Sequence, residues 1–209
     1  MGKERLAAFS DGVIAIIVTI MVLELKVPHG GELAELRPLL PVFLSYVLSF
    51  VNVGIYWNNH HHLLYTSERV NGSMLWANMH LLFWLSLIPF TTAWMGENHL
   101  ATAPTAIYGA VLLAAAFAYM ILQRTIVVEH GPNSLLATAL GSDIKGKISP
   151  MIYAAAILFA FVKPWISEAL YVVVALMWLV PDRRIERTIS GTVSSGDCKT
   201  DSAPIEEKE

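Results

Sequence analysis

Long apolar runs separated by short polar breaks set the pattern of this chain. The first runs from about Arg5 to Leu25 and stops before "KVPHGGE", where Pro and Gly interrupt it. A second extends from about Leu36 to Leu64, and a third from about Ser73 to Trp94, with Pro89 near its end. The turn "MGENHLATAP" leads to a fourth, from about Thr105 to Val128. After the polar stretch "EHGPNSLLATALGSDIKGK" come two shorter runs, about Pro150 to Val162 and about Ser167 to Val180, divided at Lys163-Pro164. Runs of roughly 20 apolar residues are what crossing a hydrocarbon core of ~30 Å requires. The pattern therefore predicts an all-α integral membrane protein with six transmembrane helices. From Arg187 onward Ser, Thr, Gly and acidic residues dominate. Residues 1–187 are expected to form the membrane unit and 188–209 a disordered polar tail.

Composition agrees. Of 209 residues 55% are hydrophobic and 15% charged, against about a quarter charged in a soluble domain. Cationic residues give the orientation. With six spans, one side carries Lys3, Arg5, Arg69, Arg124, Lys145, Lys147, Arg183, Arg184, Arg187, Lys199 and Lys208; the other carries only Lys26, Arg37 and Lys163. Both termini are thus expected in the cytoplasm. The net charge of -3 names no partner, since much of the acid lies in the tail, and no nucleic-acid partner is expected. A single cysteine, Cys198, excludes a disulfide framework within the chain. The first run is too long for a signal peptide, is interrupted by Asp11 and lacks an A-x-A site, so it is read as a mature span. Internal repeats, phosphate loops, a G-x-S-x-G elbow and an H-E-x-x-H pair are absent.

On a helical wheel with Ile16 at zero, Phe9, Gly12, Ile20 and Leu23 fall within about 40° of that line, with Thr19 about 60° away. Ser10 and Asp11 point backwards, roughly 120° and 140° away in opposite senses. Arg5 and Asp11 are about 9 Å apart along the axis and about 120° apart around it, so they cannot form an i,i+4 pair. Arg5 can reach the interface, whereas an acid two turns deeper calls for a donor on another helix.

The second span supplies candidates in "YWNNHHHLLY", Tyr56 to Tyr65. Consecutive helical residues point 100° apart, so three adjacent histidines cannot converge on one metal ion. Hydrogen bonding suits them better. Antiparallel packing of the first two spans brings Asn59, His60 and His61 to the depth of Ser10 and Asp11. The third span adds Trp76, Asn78 and His80 as further partners.

These residues resemble a known family. "RLAAFSD" fits the RxxxFSD signature of the endolysosomal potassium channels and their bacterial relatives, at Arg5, Phe9, Ser10 and Asp11. "VLELKVP", "YWNNHH" and "IPFTT" also look like the bacterial members, and the resemblance extends from Arg5 to about Arg187. It implies a potassium-selective cation channel without a TVGYG filter. One unit per chain implies a homotetramer and a prokaryotic source, hence a multi-pass protein of the cell membrane. Neither an enzyme nor a cofactor is implied, only permeant potassium.

In the family the first helix of each subunit lines the pore, with a branched apolar residue five positions after the motif Asp at the constriction. That position is Ile16 here; Thr19 matches a hydroxyl position one turn outward, and Leu23 continues the lining. Ile20 shares their face on the wheel. Arg5, Phe9, Ser10 and Asp11, with Trp57, Asn59 and His60 or His61, are implied as scaffold. His62 departs from the pattern, since relatives often carry a basic residue there. Four isoleucines around an axis form an apolar neck that gates by dewetting. The alternative reading is a proton- or cation-coupled secondary transporter, with Asp11 and the second-span histidines carrying protons. An intramembrane metallohydrolase is opposed by the ligand spacing.

Overall fold

The computed structural model describes residues 2–65, 67, 70–131 and 144–179. Among them the chain forms α1 (Lys3–Leu23), a 3-10 helix (Leu33–Leu39), α2 (Leu40–Tyr65), α3 (Gly72–Ser86), α4 (Ile88–Glu97), α5 (Thr102–His130), α6 (Ile144–Ala160) and α7 (Pro164–Leu179). No strand occurs among the described residues. The expected tail, 188–209, lies outside them, as does the middle of the polar stretch before α6.

Proline accounts for most differences from the expected boundaries. The second run was expected to turn helical at Leu36; instead residues 33–39 wind as a 3-10 helix containing Pro38, and α2 begins at Leu40. Proline lacks an N–H and its ring crowds the preceding turn, so a regular α-helix does not run through it without distortion. The third run breaks into two helices at Leu87, with Pro89 in the first turn of α4. There the Leu87 N–H donates to the Trp84 carbonyl at 3.2 Å, a tight i→i−3 turn. Pro164 opens α7, where its missing donor costs nothing. Pro150, by contrast, was expected to start the fifth helix, and α6 begins six residues earlier at Ile144.

Among the described residues, four stretches are long and apolar enough to cross a membrane: Lys3–Leu23, Leu33–Tyr65, Gly72–Glu97 and Thr102–Glu129. α6 and α7, of 17 and 16 residues, extend about 25 Å each and pack against one another.

α5 holds the bundle together. Its stripe Tyr108, Leu112, Ala115, Ala118, Leu122 and Ile126 is fully buried, at the three- and four-residue spacing of one helix face. α3, α4, α6 and α7 all pack on α5, while α1 lies on α2, α3 and α4. Small residues let the helices approach closely. A Cβ on Gly96 would come within 2.8 Å of the Val42 backbone, where α4 crosses α2. A Cβ on Gly109 would collide with the Tyr171 hydroxyl.

Hydrogen bonds between helices supply the direction that apolar packing lacks. Thr92 donates to Ser49 at 2.7 Å, and Ser49 donates to the Tyr108 hydroxyl at 3.0 Å, linking α4, α2 and α5. Tyr171 donates to the Thr105 carbonyl at 3.0 Å, and Trp178 to Ser149 at 2.8 Å.

Gly109 tests this packing. Gly109→Ala forces the buried Tyr171 ring away from the Thr105 carbonyl, and overpacking of this kind costs about 1–3 kcal/mol. Thermal unfolding of the detergent-purified protein is expected several degrees lower. Gly54→Ala, where a Cβ meets nothing within 4 Å, is expected to leave the transition in place or raise it slightly.

Candidate functional site

α1 has two faces of different chemistry. Leu6, Ser10, Ile14, Ile17 and Met21 are buried, spaced four, four, three and four residues apart. Phe9, Ile16, Ile20 and Leu23 are exposed, Ile16 at 58% and Leu23 at 79%. Gly12 and Thr19 are exposed as well. Thr19 donates its hydroxyl to the Ile16 carbonyl at 2.9 Å, which leaves the oxygen free to accept.

A relay of hydrogen bonds pins the buried face. His60 of α2, only 1% exposed, has Nε2 2.7 Å from Asn78 Oδ1 on α3. An amide oxygen only accepts, so the ring must donate. Asn78 Nδ2 donates to Ser10 Oγ at 2.9 Å, and Ser10 donates to the Leu6 carbonyl at 2.9 Å. Every link runs in one direction, from α2 through α3 into the backbone of α1.

Asp11 is served separately. Trp57 Nε1 donates to Asp11 Oδ1 at 2.9 Å, and no histidine among the described residues hydrogen-bonds to that carboxylate. About two turns nearer the N-terminus, Lys3 donates to the Tyr65 carbonyl at 3.1 Å and sits 5.2 Å from the ring centroid. α1 is thus held to the end of α2 at two levels and to α3 at one.

Not every expected partner joins. Asn59 turns away from α1: its amide donates to the Ile55 carbonyl at 2.8 Å, and its own carbonyl accepts from Tyr119 at 3.2 Å. One residue along a helix rotates the side chain by 100°, which separates it from His60. Asn59 instead lines a cavity between α2, α5 and α6 with Asn52, Tyr56, Gln123 and Tyr153. His61 is exposed, its ring 6.3 Å from Trp57. Arg5 is exposed, and its guanidinium has no hydrogen bond or ion pair among the described residues. His80 accepts from Trp84 on its own helix at 2.9 Å. No group of three or more metal-ligating side chains occurs among the described residues.

Asn78 is the residue that sequence reasoning underweighted. It was one of three candidates on the third span, yet it occupies the centre of the relay. Its signal was an amide, able to donate and accept at once, in the middle of an apolar helix.

Alongside the exposed stripe runs a groove between α1 and the α3–α4 break, lined by Ile16, Ile20, Glu24, Ser86, Pro89 and Phe90 among others.

Comparison with known proteins is informative. The family model described as endosomal/lysosomal potassium channel TMEM175 matches residues 5–89. Over 189 residues the chain is 55% identical to a potassium channel of Chryseobacterium sp. (strain P1-3), covering 90% of this chain and 98% of that one. It is 29% identical over 184 residues to a potassium channel of Chamaesiphon minutus, covering 82% and 91%. The crystal structure of a lysosomal potassium-selective channel TMEM175 homologue from Chamaesiphon minutus superimposes with a TM-score of 0.75 at 27% identity, over 85% of this chain and 96% of that one.

The relay makes its own prediction. Asn78→Leu keeps the bulk but strands the buried His60 nitrogen, at a cost of about 1–3 kcal/mol. The melting temperature of the purified protein is expected to fall clearly. Trp57→Phe, which releases only the half-buried Asp11, is expected to lower it less; equal melting of Asn78→Leu and wild type would contradict the relay.

Proposed function

Because the chain belongs to the endosomal/lysosomal potassium channel family TMEM175, we propose that it is a potassium-selective channel, a homotetramer whose first helices line the pore. Each subunit contributes six spans, α3 and α4 together forming the third, with both termini in the cytoplasm. The protein resides in the cell membrane of a prokaryote.

The observation that carries this reading is the division of α1. An apolar stripe of Phe9, Ile16, Ile20 and Leu23 faces away from the subunit, while a polar relay fixes the opposite face. A stripe facing only lipid would need no fixed rotation, since lipid tails are as apolar as the side chains they meet. A pore helix does need one.

Around a fourfold axis, four Ile16 side chains form the constriction, with Ile20 and Leu23 widening outward from it. Water retreats from so narrow an apolar neck, and the ion must part with some of its shell to pass. Sodium holds its shell more tightly than potassium, so the neck favours potassium. The Thr19 oxygens, left free by the bond to the Ile16 carbonyl, replace part of what is lost. Arg5, Phe9, Ser10, Asp11, Trp57 and His60 act as scaffold.

The transporter alternative is less well supported. It requires Asp11 and the second-helix histidines to exchange protons, yet Trp57 occupies an Asp11 oxygen and His60 is engaged by Asn78 inside the subunit.

Ile16→Asn puts an amide at the neck. In bilayers under opposing potassium and sodium gradients, leak is expected to rise and the reversal potential to move most of the way to zero. Unchanged conductance and reversal potential would sink the pore assignment. Crosslinking of the purified protein is expected to end at four subunits.

A further inference from the structure

Glu24 ends α1 and has no role in the scaffold. Its backbone stays helical, at φ -74° and ψ -13°, so the side chain lies about 80° from Ile16 and about 40° from Ile20 around the axis. It lines the same groove as those two residues and is exposed. No hydrogen bond or ion pair engages its carboxylate among the described residues, in contrast to Asp11.

The cation nearest in sequence is directed elsewhere. Lys26 Nζ lies 2.6 Å from Glu97 Oε1, at the far end of α4. Lys26 has its pKa raised, first by that hydrogen bond, then by the charge of Glu97, with a smaller contribution from Glu24. The ammonium therefore stays near Glu24 but belongs to Glu97. The C-terminal end of α1 adds negative character of its own, because its last carbonyls lack helical donors.

We propose that Glu24 concentrates cations at the outer mouth of the pore, as a ring of four carboxylates just beyond Leu23, and that the Lys26–Glu97 bridge keeps the lysine from neutralising that ring. The inference rests on the pore reading of α1. A ring of this kind acts through local ion concentration, so it raises conductance without setting the preference between cations. It is also screened: the field of an exposed charge reaches about 10 Å at 0.1 M salt and about 3 Å at 1 M.

Single-channel conductance of the full chain in planar bilayers tests this, with potassium chloride on the outer side at low concentration and at 1 M. Glu24→Gln is expected to lower inward conductance on the order of two-fold in low salt, and the difference to vanish at 1 M. Glu24→Asp keeps the charge and is expected to stay near wild type. Glu97→Gln frees Lys26 from its bridge and is expected to lower low-salt conductance, and adding Lys26→Gln to that variant is expected to restore it. Wild-type conductance of Glu24→Gln in low salt, or an equal loss at both concentrations, overturns the proposal. So does Glu97→Gln with unchanged or raised conductance, or no recovery when Lys26→Gln is added to it. Ile16→Asn separates the two readings: if it alters the reversal potential while Glu24→Gln behaves as wild type, only the role of Glu24 fails.

Discussion

The rotation of α1 about its own axis depends on one relay, His60 to Asn78 to Ser10 to the Leu6 carbonyl. A helix this apolar on every side has little reason to prefer one orientation, because packing against lipid and packing against leucine are nearly equivalent. Ser10 is the sole polar member of the buried face, so within that face it is the residue that makes the orientations unequal, with Asp11–Trp57 and Lys3–Tyr65 adding to it at the flank. Turning α1 by one residue would either bury the Asp11 carboxylate, away from Trp57, or put Phe9 in its place and leave Asn78 without an acceptor. The relay also ends well: the Ser10 hydroxyl donates its hydrogen bond to a backbone carbonyl of its own helix, so it is not left unmatched.

The break in the third apolar stretch has a comparable reach. α3 carries Asn78 and serves α1, whereas α4 carries Thr92 and serves α2 and α5 through Ser49 and Tyr108. A straight helix of 26 residues would aim one continuous face at its neighbours. Pro89 deflects the chain after Ser86, and the gap that follows becomes the groove beside Ile16 and Ile20. Gly96 then lets α4 settle directly onto the α2 backbone at Val42. One proline thus separates a half that orients α1 from a half that braces the subunit.

Much of α1 was legible in the sequence because a helical wheel needs only residue spacing. The wheel put Ser10 and Asp11 behind Ile16, and Ser10 is wholly buried while Ile16 is exposed. Depth was legible too, since antiparallel neighbours share a level in the membrane. Azimuth between helices was not. Asn59 and His60 sit at one depth, yet one lines the cavity between α2, α5 and α6 and the other meets Asn78, and nothing local to the sequence distinguishes them. The start of α6 was hidden for another reason: the residues before Pro150 include Lys145 and Lys147, which read as a polar connection rather than as the first turns of a helix.

The placement of acids along α1 bears on how the neck proposed at Ile16 would discriminate between ions. Asp11 lies about 7.5 Å below Ile16 along the axis and roughly 140° around it, with one oxygen held by Trp57. Glu24 lies about 12 Å beyond Ile16, past the end of the helix. Neither carboxylate is positioned to touch an ion at the level of Ile16. A carboxylate in contact would bind the smaller, more densely charged sodium at least as readily as potassium, and would hold either ion long enough to slow its exit. In the proposed pore, discrimination therefore rests on the unfavourable step of dehydration in an apolar ring, eased by hydroxyl oxygens one turn away. In that proposal the charges behind and beyond the neck would serve assembly and delivery. That separation is consistent with a membrane helix that bears an acid at Asp11, its ninth residue, off the face that four subunits would share in the proposed assembly.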